Sequence, residues 1–314
     1  MDKYVGDLIT NQRNDSRNTD TDSISDENFL RYNNYAQERL YNIISKAHRF
    51  LYVYSKDISI VAGTRAYTIP DNVLADTRII MVEFSPDGVE RNFRRIPPIN
   101  DRYQLNNSTG QPRAYRRGIK QVILDRIPSV SQGTLRVHYE RAMDRLDLRR
   151  GRVNGTPSGA VIDLTSATYG APTAANEALF TADTYVCVSD NYGTPQLYNG
   201  IISSYTAGTD ALTLTANVST YLQGSYTLAN LDNGYLTLGK WTTTHSLLHN
   251  ICEQFIHEYV CRHVFRIDAA GDWDETDKTY KELVGEILSV YETADKDRKT
   301  IPIVDYDMMI PGYE

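Results

Sequence analysis

Four side chains in the last third of the chain could hold a metal: His245, His249, Glu253 and His257, at i, i+4, i+8 and i+12. On a helix this spacing puts them along one face, and imidazoles with a carboxylate are ordinary zinc ligands. The run His257-Glu258-Tyr259-Val260-Cys261 starts like the zinc-protease motif H-E-x-x-H. It departs at its last position, where cysteine stands in place of the second histidine. A solvated or intersubunit helix face accounts for the same residues. A Cys–His nucleophile pair can be drawn from Cys252 with His249 or His48. Yet Cys252 and Cys261 sit on or near an apolar helix face, where a free thiol is by default core packing. The sequence holds no Walker A motif, no G-x-G-x-x-G and no G-x-S-x-G elbow, and no spacing singles out a carboxylate pair. The chain therefore reads as a non-enzyme, with no catalytic residue, no metal site and no cofactor assigned.

Charge is the next signal. The 314 residues carry a formal net charge of −7. From Arg91 to Arg152, however, 15 basic residues face only 5 acidic ones, a local net of +10 that leaves −17 for the remainder. Such blocks predict a molecule whose faces differ in sign, and head-to-tail contact between copies would set one face against the other. The candidate intersubunit basic face is Arg91, Arg94, Arg95, Arg113, Arg116 and Arg117. An acidic remainder predicts weak nonspecific binding to duplex DNA and suits a channel wall along which DNA slides. Three cysteines form no even disulfide set and fit a reducing compartment. The first residues have no apolar signal core, and no run of about 18 apolar residues reads as a membrane span. Tyrosine is abundant, 23 against 7 phenylalanines, which suits either interfaces or a tyrosine-rich β core.

The elements that position these residues follow from periodicity. Residues 1–24 are polar and read as a flexible N-terminal arm. Ser25 caps a long helix with the apolar stripe Ala36, Leu40, Ile43, Ile44, Ala47 and Leu51, expected to end near Tyr54. Short β runs follow, with a turn at Pro86-Asp87-Gly88 and strands expected at 113–117, 120–125 and 134–140. In the last of these, Leu135, Val137 and Tyr139 alternate with a wet face of Arg136, His138 and Glu140. From about Gly151 to 240 the chain becomes rich in Thr, Ser, Gly and Tyr, with short alternating runs that include Tyr226-Thr227-Leu228. That spacing predicts a small all-β barrel or sandwich, read as an insertion domain. Two amphipathic helices follow, one through Leu247, Leu248, Ile251, Phe255, Ile256, Tyr259 and Val260. The other runs through Tyr280, Leu283, Val284, Ile287, Leu288 and Tyr291. The tail holds Ile301, Pro302, Ile303, Val304, Tyr306, Met308, Met309, Ile310, Pro311 and Tyr313. It is too apolar for a solvated linker, and its prolines forbid a helix, so it is expected to lie extended against its own subunit or, the favoured reading, on a partner.

The fold class is thus α+β: an antiparallel helical bundle of the long N-terminal helix and two C-terminal helices, strands between them, and an inserted all-β domain. The expected division is 1–24 arm, 25–150 with 241–297 core, 151–240 insertion and 298–314 tail. The order of motifs within this frame carries a resemblance. Gly63-Thr64-Arg65-Ala66-Tyr67-Thr68-Ile69-Pro70 follows the first helix, then Pro112-Arg113-Ala114-Tyr115, Val122-Ile123-Leu124-Asp125, Ile127-Pro128 and Gly133-Thr134-Leu135-Arg136-Val137-His138-Tyr139. Over 28–148 and 241–297 this resembles the head-to-tail connector (adaptor, neck ring) proteins of short-tailed and crAss-like bacteriophages. The resemblance implies a structural virion protein assembled in the host cytoplasm. It implies a homo-oligomeric ring of twelve copies beneath the portal protein, contacting the next tail or neck protein and passing double-stranded DNA during genome ejection. It also implies that the apolar tail straps onto the portal or a neighbour. The insertion at 151–240 departs from the family pattern. A β-rich tail or fibre binding module is the alternative reading, and a zinc-dependent hydrolase a third.

Overall fold

The computed structural model describes residues 4–16, 24–47, 53–69, 79–99, 108–164, 172–224, 226–246, 251–267 and 281–290. The chain divides into two compact units, Met1–Arg49 with Asp144–Glu314, and Phe50–Met143. These cuts differ from the expected boundaries at 150/151 and 240/241. They group the helices with the strands beyond 151. The structure is a mixed helix-and-strand fold, and no helix among the described residues is long and apolar enough to cross a membrane.

The unit Phe50–Met143 is a curled antiparallel β structure. Its strands are β1 (Val53–Ser59), β2 (Ala66–Thr68), β3 (Ile79–Ser85), β4 (Arg94–Ile96), β5 (Tyr115–Gly118), β6 (Gln121–Leu124) and β7 (Thr134–Glu140). They form two sheets, ordered β1-β7-β3-β4 and β2-β6-β5. A backbone junction joins them beyond β4, where Tyr115 N–H donates to Pro97 O at 3.0 Å and Ile99 N–H to Tyr115 O at 2.6 Å. One core then serves both sheets, made of Ile60, Tyr67, Ile69, Ile79, Val82, Phe84, Ile96, Tyr115, Val122, Leu124, Leu135, Val137 and Tyr139. The Pro86-Asp87-Gly88 turn forms with Gly88 at φ +74, a conformation open to glycine without strain. The wet face expected on β7 is corrected at its end, since Glu140 is buried.

The other unit begins with α1 (Val5–Asp15) and α2 (Asp26–Ala47). The expectation of a flexible arm at 1–24 is corrected over α1. Its helix buries Val5 and Ile9 and docks through polar groups: Gln12 and Asn33 exchange two amide hydrogen bonds at 2.8 Å. The Arg13 guanidinium bonds Asp26 at 2.6 and 2.9 Å and lies 4.6 Å over the Phe29 ring. In α2, Ala36, Leu40 and Ile44 are fully buried, as the stripe predicts. The described helix runs to Ala47, and Val53 and Tyr54 are already strand, so the helix ends before Tyr54. The Val53-Tyr54 pair, β-branched and aromatic, is taken up by β1, where it pairs with Tyr139 and Glu140 of β7.

The same unit continues with β8 (Arg145–Leu146), β9 (Gly151–Arg152), β10 (Val161–Asp163), α3 (Ala174–Glu177), β11 (Tyr185–Ser189), β12 (Pro195–Thr206), β13 (Ala211–Leu214), β14 (Tyr235–Leu238) and β15 (Thr242–Thr243). Six of these make one antiparallel sheet, β10-β13-β12-β11-β14-β9, over a core that includes Ile162, Val186, Leu197, Leu212 and Leu236. The expected strand at Tyr226-Thr227-Leu228 is instead the entry to a 3-10 turn, Leu228–Leu231, capped by the Thr227 and Asn230 side chains. The first C-terminal helix, α4 (Ile251–Ile267), packs its Cys252, Phe255, Ile256, Val260 and Val264 face inward and lies against α1 and α2. A further helix, α5, covers 281–290 and buries Leu283 and Ile287.

Segment 144–152 ties the helices to this sheet. Asn34 of α2 accepts from Leu146 N–H at 2.8 Å and donates to Leu146 O at 3.0 Å, while Gln37 donates to Asp144 O at 2.7 Å. β8 runs parallel to β15, and β9 pairs with β14. Inside this junction Asp147 bonds Arg150 at 2.6 Å and accepts from Leu238 N–H at 2.7 Å, and Arg150 reaches Glu27 of α2 at 2.7 Å. Burial pushes the Asp147 carboxyl above its ordinary range, against the pull of Arg150. Removing one partner of a buried pair leaves the other charge uncompensated. Arg150→Met is therefore expected to lower unfolding free energy by about 3–5 kcal/mol in urea titration, with part recovered by adding Asp147→Asn.

Candidate assembly surface

The outward face of β1-β7-β3-β4 is a lattice of charge set by strand register. Asp57 of β1, Arg136 of β7, Glu83 of β3 and Arg95 of β4 are successive cross-strand partners, so they share one face with alternating sign. Arg136 is the hub. It bonds Asp57 through two nitrogens at 2.7 and 2.9 Å and Glu90 at 2.6 Å, and its guanidinium lies 4.0 Å over the Phe93 ring. Its hydrogen bonds hold the Asp57 and Glu90 carboxyls below their usual range and push the guanidinium further up. Next to it, His138 meets Glu83 at 2.8 Å.

The six arginines singled out from sequence all fall in this β unit. Arg91 lies on the 3-10 turn Glu90–Asn92, which Asp87 braces by accepting from Val89 N–H, the Ser85 hydroxyl and the Asn92 amide. These bonds, the Val89 N–H first, hold the Asp87 carboxyl low. Arg94 and Arg95 are on β4 and point to opposite faces, Arg94 in the row of Phe84 and Arg95 in that of Glu83. Arg113 enters β5 where the Asp125 carboxylate accepts the Arg113 and Ala114 N–H groups at 2.9 and 3.2 Å. On β5, Arg116 is half-buried with its Nε lacking a partner, and Arg117 donates to Ile79 O at 2.7 Å. Arg91, Arg94, Arg95 and Arg113 are exposed and form no ion pair among the described residues. The whole unit carries 14 basic against 9 acidic side chains, a net of +5, and the rest of the chain holds −12.

The chemistry-bearing residues elsewhere do not converge. His245 lies before α4, in a backbone bridge to Tyr4, with its ring 5.9 Å from the Tyr4 ring and Nδ1 2.7 Å from the Thr244 hydroxyl. The helical spacing that linked it to Glu253 and His257 therefore does not apply. His249 lies outside the described residues. Among those residues no three His, Cys, Asp or Glu side chains gather as metal ligands. Asp15, His257 and Cys261 do meet, but Nε2 of His257 serves both Asp15 at 2.9 Å and Cys261 at 3.5 Å. A nucleophile triad needs one ring nitrogen for each partner. Burial also raises the Cys261 thiol to about 12, so it stays protonated near neutrality. The tail residues 301–314 lie outside the described residues.

Two features were not singled out from sequence. The first is the Arg136 hub, although the period-two pattern of 134–140 put Arg136 on the wet face. The second is Arg149, sandwiched between the Tyr4 and Tyr235 rings at 3.8 and 3.9 Å. No local spacing links residues 4, 149 and 235.

The Arg136 lattice has a pH signature. Carboxyls depressed in the folded state contribute stability above their unfolded values of 3.8 and 4.5, and that contribution is lost as pH falls through the lower folded values. Arg136→Met should lower the melting temperature near pH 7 by roughly 2–4 °C. The gap to wild type should close below pH ~4, as read by thermal scans across pH. A search of curated proteins finds no match. The family model described as SU10 adaptor protein matches residues 4–164, which run from α1 through β10 and take in the whole β unit with its arginine surface. The chain belongs to the SU10 adaptor protein family and is a structural adaptor of a phage virion.

Proposed function

We propose that the chain is the head-to-tail connector of a short-tailed or crAss-like phage. It forms a ring of twelve copies that docks beneath the portal protein, extends the DNA channel and offers a platform to the next tail or neck protein. The observation that carries this reading is the family match across 4–164. In this reading α2, α4 and α5 make the antiparallel helical bundle of the adaptor core, and 151–240 is an inserted, outward-facing β domain for a further neck or tail component.

The charge division supports a head-to-tail ring. Exposed Arg91, Arg94, Arg95 and Arg113 have no acidic partner among the described residues, while the rest of the sequence is strongly acidic. A ring repeats one heterologous contact until it closes, so a basic face meeting an acidic one on the next copy satisfies every subunit. Acidic walls let DNA pass without retention. The tail, with Ile301, Pro302, Ile303, Val304, Tyr306, Met308, Met309, Ile310, Pro311 and Tyr313, is the strap to the portal or a neighbouring copy.

Native mass spectrometry of the chain with its cognate portal oligomer should give one copy per portal subunit. No association, or a trimer, would refute the connector role. Deleting 301–314 should abolish docking while leaving thermal stability unchanged. Arg94→Glu with Arg95→Glu should change chain stability by no more than about 0.5 kcal/mol, as expected for surface sites. The same pair should weaken assembly, and that loss should be mirrored when wild type is assembled at high salt.

A further inference from the structure

The β unit is a curled sheet with one side open. Its strands run β1-β7-β3-β4, pass through the Pro97–Tyr115 junction, and continue β5-β6-β2. β2 is only three residues long, whereas β1 has seven, and all seven pair with β7 on one side. On its other side β1 meets no strand among the described residues, and Val53–Ser59 make no further backbone hydrogen bonds there.

The core is uncovered at that edge. Tyr54, Lys56 and Ile58 stand in the same cross-strand rows as Tyr139, Val137 and Leu135. Those three partners are buried, Val137 and Leu135 completely, yet Tyr54 is 41 % exposed, Lys56 is exposed and Ile58 is only half-buried. Val53, on the opposite face, is 42 % exposed. A strand with exposed side chains on both faces and no neighbour among the described residues along one edge is open to β-strand addition, the ordinary way such an edge is filled.

The chain carries a segment that fits. Between Pro302 and Pro311 lie eight residues, Ile303-Val304-Asp305-Tyr306-Asp307-Met308-Met309-Ile310, against seven in β1. Val304, Tyr306, Met308 and Ile310 alternate with Asp305 and Asp307, the period of a strand with one apolar face. The bracketing prolines fix its length, since neither can donate to a ladder. Twelve residues, 291–302, separate it from residue 290 of α5 and span up to about 40 Å when extended.

We propose that the edge of β1 receives residues 303–310 of a second copy of this chain. The added strand sets Val304, Tyr306, Met308 and Ile310 over Tyr54 and Ile58, closing the exposed side of the core, and leaves Asp305 and Asp307 on the charged outer face. The inference rests on the ring reading, in which each copy has a successor to receive its tail. An edge filled head to tail leaves no strand unpaired once the ring closes.

The test uses the full chain and a synthetic peptide spanning Thr300–Glu314, followed by hydrogen–deuterium exchange. The peptide should slow amide exchange at 53–59 and nowhere else. N-methylation at Ile303, Asp305 and Asp307, or at Val304, Tyr306 and Met308, separates the two edges of the added strand. One set should abolish the protection and the other leave it, because only alternate N–H groups face β1. No protection, protection elsewhere, or equal effects of the two sets would overturn the proposal. So would protection, before peptide is added, of those alternate amides of 53–59 that face away from β7, which would mean that each chain folds its own tail onto β1. Failure of the ring reading shows separately, as absent portal association in native mass spectrometry.

Discussion

Asp147 and Arg150 lie three residues apart, and each loses its water in the fold. Burying the pair costs several kcal/mol per ion unless geometry and further hydrogen bonds compensate. The compensation comes from three directions: Glu27 on α2, the Leu238 N–H on β14, and the close contact between the two side chains. Those partners exist only if α2, β14 and segment 144–152 are all in place, so the pair makes their arrangement mutually conditional. The neutral bonds from Asn34 and Gln37 to the same segment set its register along α2. Arg149, between the pair, turns the other way and stacks between Tyr4 and Tyr235, which brings the start of α1 to β14. Helices and sheet in this unit are thus joined through the short polar segment 144–152.

The β unit spends its charges differently. Arg136 sits where two carboxylates, Asp57 and Glu90, and the Phe93 ring converge, and its bonds stitch β1, β7 and the Glu90 turn across the sheet. Arg65 and Arg117 satisfy backbone carbonyls. Against that background, Arg91, Arg94, Arg95 and Arg113 are exposed and form no ion pair among the described residues. Exposed like charges repel one another and stabilise nothing locally. An acidic surface on another copy is the partner proposed for them, and guanidinium forks are well matched to carboxylates and phosphates.

The sequence made the apolar architecture legible and the polar architecture mostly not. The stripe in α2, the strands at 115–118, 121–124 and 134–140, the inward face of α4 and the β-rich stretch from 151 all follow from periodicity. The element missed, α1, is held by Gln12–Asn33 and Arg13–Asp26 pairs that carry no hydrophobic pattern. Its polar composition is what a flexible arm would also have. The histidine stripe was misread because helical spacing was extended back to His245, into residues that β15 and the Tyr4 bridge claim for extended backbone. The tyrosine excess divides in two. Buried Tyr198 and half-buried Tyr205 bond Asp144 and Asp210 through their hydroxyls, while Tyr35 and Tyr192 stay exposed. Composition alone has no way to separate these uses.

The rows of the β unit's core bear on how the β1 edge is guarded. The row Lys56–Val137–Val82–Ile96 carries its cation at the β1 end, and the row Ile58–Leu135–Phe84–Arg94 carries its cation at the β4 end. In each the middle residues are buried and the charged terminus reaches water. A core-facing lysine on an edge strand opposes casual pairing, because an arbitrary incoming strand would have to bury the ammonium. It is much less costly for a strand whose side chain there is aromatic, since a ring face accepts a cation. Under the proposed tail addition, Lys56 therefore favours a strand with an aromatic residue in register over indiscriminate stacking. Selectivity of that kind is what a subunit needs if it must stay dispersed before assembly and join in one order during it.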